Sequence, residues 1–349
     1  MNILQAVREN IPVRILPYKA GSVSAGLLTE YINTTYNAKA RQRVRDAVTT
    51  PGINLRWGKS PVRVENSIAD LNVSEAVATA ANKSTTLNTL AISNVPCVEA
   101  TTSSERAAGW LQEGLSVVCR HTLYGHSGKG IQIVEQSGTV YRSSELSDRT
   151  PWYAGKLFTK YFKRAAEYRV FVVGQSAVLA YRKGAATQPA EATRQFMVRT
   201  HATGWNFCAV AMSDVPQQVL EASVRAVNAL GLHFGAVDVG WNDHHARAAV
   251  FEVNTAPGMQ GSTVPVIADA LVRLELAPVV AIRTEIVPAP LASDEVEIPA
   301  GLRETPTAVL RGSELHQHVE RVVRAAGTTR IQWDTGHFVN ADHFTTRIR

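Results

Sequence analysis

Two apolar stretches, Ala236–Gly240 and Ala249–Asn254, flank a polar turn at Asn242–Arg247, and they carry Asp238, Glu252 and Asn254. Side chains alternate across a strand, so Glu252 and Asn254 face the same side. If the two stretches pair as a hairpin, Asp238 comes beside Glu252. Oxygen donors in an apolar strand are costly to bury unless something compensates them. Mg²⁺ would do so, because it prefers oxygen ligands from one or two carboxylates plus phosphates. The alternative is a set of strand-end polar residues bonded to loops. Rich in apolar residues, the two stretches read as the central pair of a buried sheet.

A second constellation is Gly125-His126-Ser127-Gly128-Lys129-Gly130, between strands expected at Ser116–Arg120 and Ile131–Glu135. Backbone N–H groups in so glycine-rich a hairpin can approach phosphates closely. It is no P-loop, because Ile131-Gln132 stands where Lys-Ser/Thr would follow. An ordinary long hairpin turn is the plainer reading. Arg120 sets a fixed positive charge just before it. The third constellation is the strand Lys156–Phe162 followed by Glu167-Tyr168-Arg169. A strand edge there can read an adenine base, with Glu167 on ribose hydroxyls and Arg169 toward phosphate. Glu-x-Arg could equally be a same-face salt bridge. Trp57-Gly58-Lys59-Ser60 imitates a P-loop tail, but Ile53 occupies the first glycine position and Pro61 blocks a helix. His244-His245 lies in a polar turn and reads as solvated. Neither GxSxG nor HExxH occurs.

At 349 residues the chain is long enough for two or three domains. Strands at Val13–Leu16 and Ile53–Trp57 with helices at Ala25–Ile32 and Ala38–Val48 suit a small α/β lobe. A helix at Lys83–Ile92 follows, then the loop Ser93–Pro96. Further strands are expected at Tyr168–Val173 and Ala177–Arg182, with Gly174-Gln175 as a hairpin turn. Asp214 is placed to cap a helix striped by Val219, Leu220, Val224, Val227 and Leu230, and Gly231 to end it. Pro288, Pro290 and Pro299 punctuate an acidic linker. Beyond it Leu315, Val319, Val322, Val323 and Ala326 share one helical face, and the chain closes on a strand pair.

No apolar run approaches the roughly 20 residues of a membrane span, and the N-terminus lacks a signal-peptide pattern. Cys97, Cys119 and Cys208 are too scattered for a disulfide framework or metal knuckle, so the expected location is cytoplasmic. The formal charge of +6 favours anionic ligands such as nucleotides or acidic substrates. A nucleic acid is not favoured, since no aromatic residues interleave with the basic run Arg41–Arg45.

Together and in this order, these pieces resemble the ATP-grasp superfamily over roughly Asn82 to Ala270. They are most similar to its carboxylate–amine ligases, such as the ribosomal-protein glutamate ligase, glutathione synthetase and D-alanine–D-alanine ligase. The resemblance implies an α+β fold, two lobes clasping ATP, preceded by a small α/β lobe and followed by a short C-terminal segment. The implied boundaries are 1–81, 82–283 (lobes 82–155 and 156–283), a linker at 284–306 and an appendage at 307–349. It implies that Lys83, Arg120, Gly125–Gly130, Lys160, Tyr161, Phe162, Glu167, Arg182 and His201 bind nucleotide. Asp238, Glu252 and Asn254 would hold two Mg²⁺ ions, with Mn²⁺ as an alternative. Arg169 and Arg199 would be catalytic, and Met259, Gln260, Ser262 and Thr263 would contact substrate. Arg120 stands where the family usually has lysine. Ala236 replaces the arginine that the D-alanine ligases carry two residues before the metal aspartate. The implied activity joins a small-molecule or peptide carboxylate to an amine through an acyl phosphate, and a homodimer is a candidate assembly. The alternatives are an ATP-grasp kinase, or a nucleotide-binding protein without turnover that recruits a nucleic acid or protein.

Overall fold

The computed structural model describes residues 1–124, 129–143, 146–185, 199, 204–259, 261–276, 330–332 and 338–340. The chain divides into two compact units, Met1–Val280 and Ala281–Arg349.

The first unit opens with α1 (Ile3–Arg8), whose start is closed by a reciprocal capping box between Asn2 and Gln5. A parallel sheet in the order β2-β1-β3-β4 follows, made of β1 (Val13–Pro17), β2 (Arg41–Gln42), β3 (Ile53–Trp57) and β4 (Ala69–Leu71). Helix α2 (Val23–Tyr36) joins β1 to β2 and ends at Asn37, which is left-handed at φ +52°. The helix expected at Ala38–Val48 is absent. Lys39 and Asp46 also have positive φ, Ala38 and Ala40 are buried in the lobe's core, and Arg41–Gln42 pairs with β1 instead. Tertiary pairing overrides helical propensity there.

Two consecutive helices, α3 (Ser74–Ala81) and α4 (Lys83–Ile92), are separated by the extended residue Asn82. Its side chain accepts from the N–H groups of Ser84 and Thr85, so the break that sets Lys83 at the head of α4 is also that helix's cap. Beyond it lie β5 (Ala100–Thr101), α5 (Ser104–Gln112), β6 (Val117–Arg120), β7 (Ile131–Val134), β8 (Val140–Arg142) and β9 (Leu157–Lys160). These strands form an antiparallel sheet in the order β5-β9-β6-β7-β8. Its own small core gathers Ala107, Trp110, Val117, Cys119 and Phe158.

The largest sheet is antiparallel, β12-β11-β10-β13-β14, from β10 (Ala166–Val173), β11 (Ser176–Ala185), β12 (Trp205–Val210), β13 (Phe234–Asn242) and β14 (Arg247–Asn254). The central strand is therefore β10, and β14, expected at the centre, is at the edge. Outside the sheet, Val250 bonds the Pro96 carbonyl at 2.9 Å and receives the Val98 N–H at 3.4 Å. Helix α6 (Gln217–Ala229) packs Val219, Ala222, Ala226 and Val227 against the sheet face of Val170, Val172, Val237 and Val250. Asp214 does not cap α6. It sits in a preceding 3₁₀ turn, Pro216 holds the cap position, and Gly231 (φ +68°) ends the helix as expected. On the opposite face, Phe171, Val173, Phe234 and Ala236 join α7 (Thr263–Arg273) and the N-terminal lobe in one core. That face turns polar further along, at Arg169, Asp238 and Glu252. Among the described residues no helix is long and apolar enough to cross a membrane.

In the second unit, β15 (Arg330–Gln332) and β16 (Phe338–Asn340) pair antiparallel. The linker 284–306 and the expected helix around Leu315–Ala326 lie outside the described residues. Because the first unit closes at Val280, truncation after Ile282 is expected to leave a soluble protein that keeps whatever affinity for ATP the full chain has. Light scattering and nucleotide titration check this; insoluble protein would place the tail within the core.

Candidate active site

All three sheets of the first unit contribute to one cavity of about 1260 Å³. The N-terminal lobe supplies Tyr18, Lys19, Ser22 and Trp57–Lys59. The central sheet supplies Arg120, Lys129 and Lys160, and the large sheet supplies Glu167, Arg169, Asp238, Glu252 and Asn254.

Strands β13 and β14 form the expected hairpin, and Asp238 pairs in register with Glu252, with a bulge just beyond. Both carboxylates are compensated by basic side chains. Asp238 takes a bidentate pair from Arg169, Nε and Nη2 each at 2.7 Å. Glu252 takes Lys83 Nζ at 2.7 Å. Burial pushes the Asp238 carboxyl up, and the neighbouring Glu252 adds to this against the pull of Arg169. Burial also pushes Glu252 up, but Lys83, Arg120 and Arg169 outweigh it and bring the group to about 2. Asn254 turns Nδ2 toward Glu252 Oε1 and the Ala236 carbonyl, both at a long 3.5 Å.

Glu167 lies on the same face of β10 as Arg169, two residues away. The two do not pair with each other. Glu167 is buried between Lys183 Nζ and Arg164 Nε, the latter at 2.9 Å, and they hold its carboxyl below the usual range despite burial. Lys183 Nζ also donates to the Arg199 carbonyl at 2.9 Å, and Arg199 Nη2 to the Arg164 carbonyl at 3.3 Å. The Arg169 guanidinium lies over the Phe207 ring at 4.3 Å, and Arg199 over Trp205 at 4.6 Å. Glu167→Gln is expected to cost on the order of 3 kcal/mol at neutral pH, because it strips a buried cation pair of its charge. The wild-type carboxylate titrates lower folded than unfolded. Its contribution is therefore complete above about pH 4.5 and lost as pH falls below that. Urea melts should show the variant's stability varying less across the acid range.

No protein-family profile matches the sequence, and no curated protein matches it. Solved structures do match. The ATP-grasp ligase PsnB complexed with minimal precursor is 13% identical and superposes with a TM-score of 0.52, covering 75% of this chain and 98% of that one. The same ligase with a phosphomimetic variant of minimal precursor, Mg and ADP is 12% identical with a TM-score of 0.52, over 75% and 97%. With minimal precursor, Mg and ADP it is 12% identical with a TM-score of 0.51, over 74% and 96%. The chain has the ATP-grasp fold.

Within the ATP-grasp fold, Lys83, Arg120, Lys129, Lys160, Tyr161 and Phe162 lie on the cavity wall. Lys160 is tied to Glu99 at 2.7 Å. Gly130 closes the β6–β7 turn at φ +67°, its carbonyl accepting from the His121 N–H. Gly125, His126, Ser127, Gly128, His201 and Gln260 lie outside the described residues. Four of the expected residues, Arg182, Met259, Ser262 and Thr263, are not on this cavity's wall. Arg182 is exposed and, by alternation along β11, faces away from the side of Lys183, which lines the cavity in its place. Met259 is buried in the N-terminal lobe's core, its N–H donating to Ser24 Oγ at 2.9 Å. Thr263 is buried in the first turn of α7 against the Tyr181 hydroxyl, and neither it nor the adjoining Ser262 reaches the cavity wall. Sequence reading missed Arg164, Lys19 and Lys59 as well as Lys183. The strand alternation of β11 held the signal for Lys183.

A hard divalent cation fits the donor set. Among the described residues no three His, Cys, Asp or Glu gather, so the set is two carboxylates and the Asn254 amide oxygen, all on the cavity wall. Oxygen-only donors suit Mg²⁺ or Mn²⁺ and not the softer metals. Filling the site requires Arg169 and Lys83 to release their carboxylates, and incoming phosphate oxygens are natural new partners for both.

Proposed function

We propose that this protein is an ATP-dependent ligase that joins a carboxylate to an amine through an acyl phosphate. The observation that carries the reading is the ATP-grasp fold with Asp238, Glu252 and Asn254 on one face of its largest sheet, ringed by Lys83, Arg120 and Arg169 around a single cavity. Backbone groups of Lys160–Phe162 read the base, and Glu167, held by Lys183 and Arg164, faces the ribose. Lys83, Arg120 and Lys129 take the phosphates. Asp238, Glu252 and Asn254 would hold two Mg²⁺ ions, whose chemistry would be to neutralise charge developing on the phosphates.

A substrate carboxylate oxygen attacks the γ-phosphorus, the bond to the β-bridging oxygen breaks, and ADP leaves with that electron pair. The amine nitrogen then attacks the acyl carbon. Inorganic phosphate departs, a proton is lost from nitrogen, and an amide remains. Arg169, released from Asp238 when a cation takes that carboxylate, would turn its guanidinium N–H groups to the oxyanion of the tetrahedral intermediate. Arg199, on the same cavity wall, would assist.

Hydroxylamine tests the reading without knowledge of the natural amine. Protein with Mg-ATP and a panel of small and peptide acids should accumulate a hydroxamate in step with ADP. A stable phosphorylated hydroxyl compound, with no hydroxamate from any acid, would instead identify a kinase. No ADP at all would identify a binding protein.

A further inference from the structure

The nucleotide reading leaves the N-terminal lobe's share of the cavity without an occupant. In that lobe β1 has β2 on one side and β3 on the other, all parallel, so the chain changes direction across the sheet between β1 and β3. Open α/β sheets take ligands in the crevice beyond the carboxyl ends of strands at such a point. The residues just past those ends, Tyr18-Lys19 after β1 and Gly58-Lys59 after β3, line the cavity.

The chemistry of the crevice is that of an oxyanion site. Lys19 and Lys59 have no acidic partner among the described residues; they rest over the rings of Tyr18 and Tyr124 at 5.4 and 5.9 Å. Helix α2 begins at the same wall, and its first N–H groups have no partners within the helix. Ser22, at its cap position, is 6% exposed, lines the cavity and makes no capping bond. Trp57, fully buried on the wall, carries an indole N–H with no acceptor, and such a buried orphan is rare and costly. The cavity's acids, Glu167, Asp238 and Glu252, all stand on the large sheet, each already paired with a basic residue.

We propose that this crevice holds a second anionic group of the acid substrate, so that the enzyme's acid is a dianion, a dicarboxylate or a phosphoryl carboxylate. This rests on the ligase reading: the reacting carboxylate lies at the phosphates, and the second anion is gripped by Lys19, Lys59, Ser22 and the Trp57 indole.

The test reads binding and not turnover. With AMPPNP and Mg²⁺ in excess, glutarate, 3-phosphonopropionate and butyrate are titrated while the Trp57 indole N–H signal, assigned through Trp57→Phe, is followed by NMR. A dianion should shift that signal and bind about tenfold or more tightly than butyrate, charge-assisted hydrogen bonds being worth that much. The stronger dianion tells a carboxylate from a phosphoryl source. Lys19→Ala with Lys59→Ala should erase the preference and leave AMPPNP affinity within about twofold. Trp57→Phe keeps the stacking on Phe234 and should weaken the dianion by calorimetry. Equal binding of butyrate, a preference surviving in the double variant, or a loss confined to AMPPNP overturns the proposal. Dianion binding without hydroxamate from any acid retires the ligase reading and keeps the subsite; hydroxamate without dianion preference retires the subsite alone.

Discussion

Glu252→Gln is expected to lower Mg-dependent ADP release by about a thousandfold or more, equivalent to several kcal/mol of lost transition-state stabilisation. Glu252 is the acid on which the most positive charge converges, with Lys83 at 2.7 Å and Arg120 and Arg169 both acting on it. A neutral amide keeps the shape and loses the charge that holds a cation. It also leaves Lys83 without its carboxylate, so thermal melting must accompany the assay. A folded variant with wild-type turnover would remove Glu252 from the chemistry. Metal-free nucleotide binding should change little if, as proposed, the phosphates meet Lys83 and Arg120 rather than Glu252.

Replacing Gly58 by alanine is expected to cost about 2–4 kcal/mol and to reduce turnover together with stability. Gly58 has φ +77°, and a Cβ there would stand 2.8 Å from Ala256 Cβ and 3.2 Å from Tyr18 Cβ. Its N–H donates to the Thr255 carbonyl at 3.0 Å, tying the end of β3 to the residue just after β14, which carries Glu252 and Asn254. Neither neighbour is the far end of a flexible chain, so the backbone has to yield. The crevice between Lys59 and Asn254 should deform with it. Calorimetric melting alongside ADP release measures both effects; an alanine variant as stable and active as the parent would mean that the 57–59 turn relaxes freely.

The sequence made faces legible and left partners hidden. Period-two alternation set Glu252 and Asn254 on one side and matched Asp238 to Glu252, because a short hairpin leaves few registers. The cations that neutralise those acids were not readable, since Lys83 is 169 positions from Glu252 and Arg169 is 69 from Asp238. The sequence therefore offered a metal or loop hydrogen bonds as compensation, where the chain also supplies its own counter-charges. The glutamate and arginine of Glu167-x-Arg169 were expected to bond each other or a nucleotide. They do not bond each other: Glu167 pairs with Arg164 and Lys183, and Arg169 with Asp238. Trp57–Lys59 was rightly refused as a P-loop, yet the parallel sheet delivers it to the same cavity by another route. Ala38–Val48 failed because local propensity competes poorly with a strand partner and with two left-handed residues, Lys39 and Asp46.

The bond between the Pro96–Val98 segment and β14 also bears on how the protein behaves in company. An edge strand as apolar as β14 is a template for pairing with another molecule. Val250 N–H and its carbonyl are engaged by Pro96 and Val98, and proline, with no N–H to offer, is suited to end such a ladder. A chain altered between Ser93 and Val98 so that it no longer reaches β14 should therefore self-associate at high concentration before it unfolds.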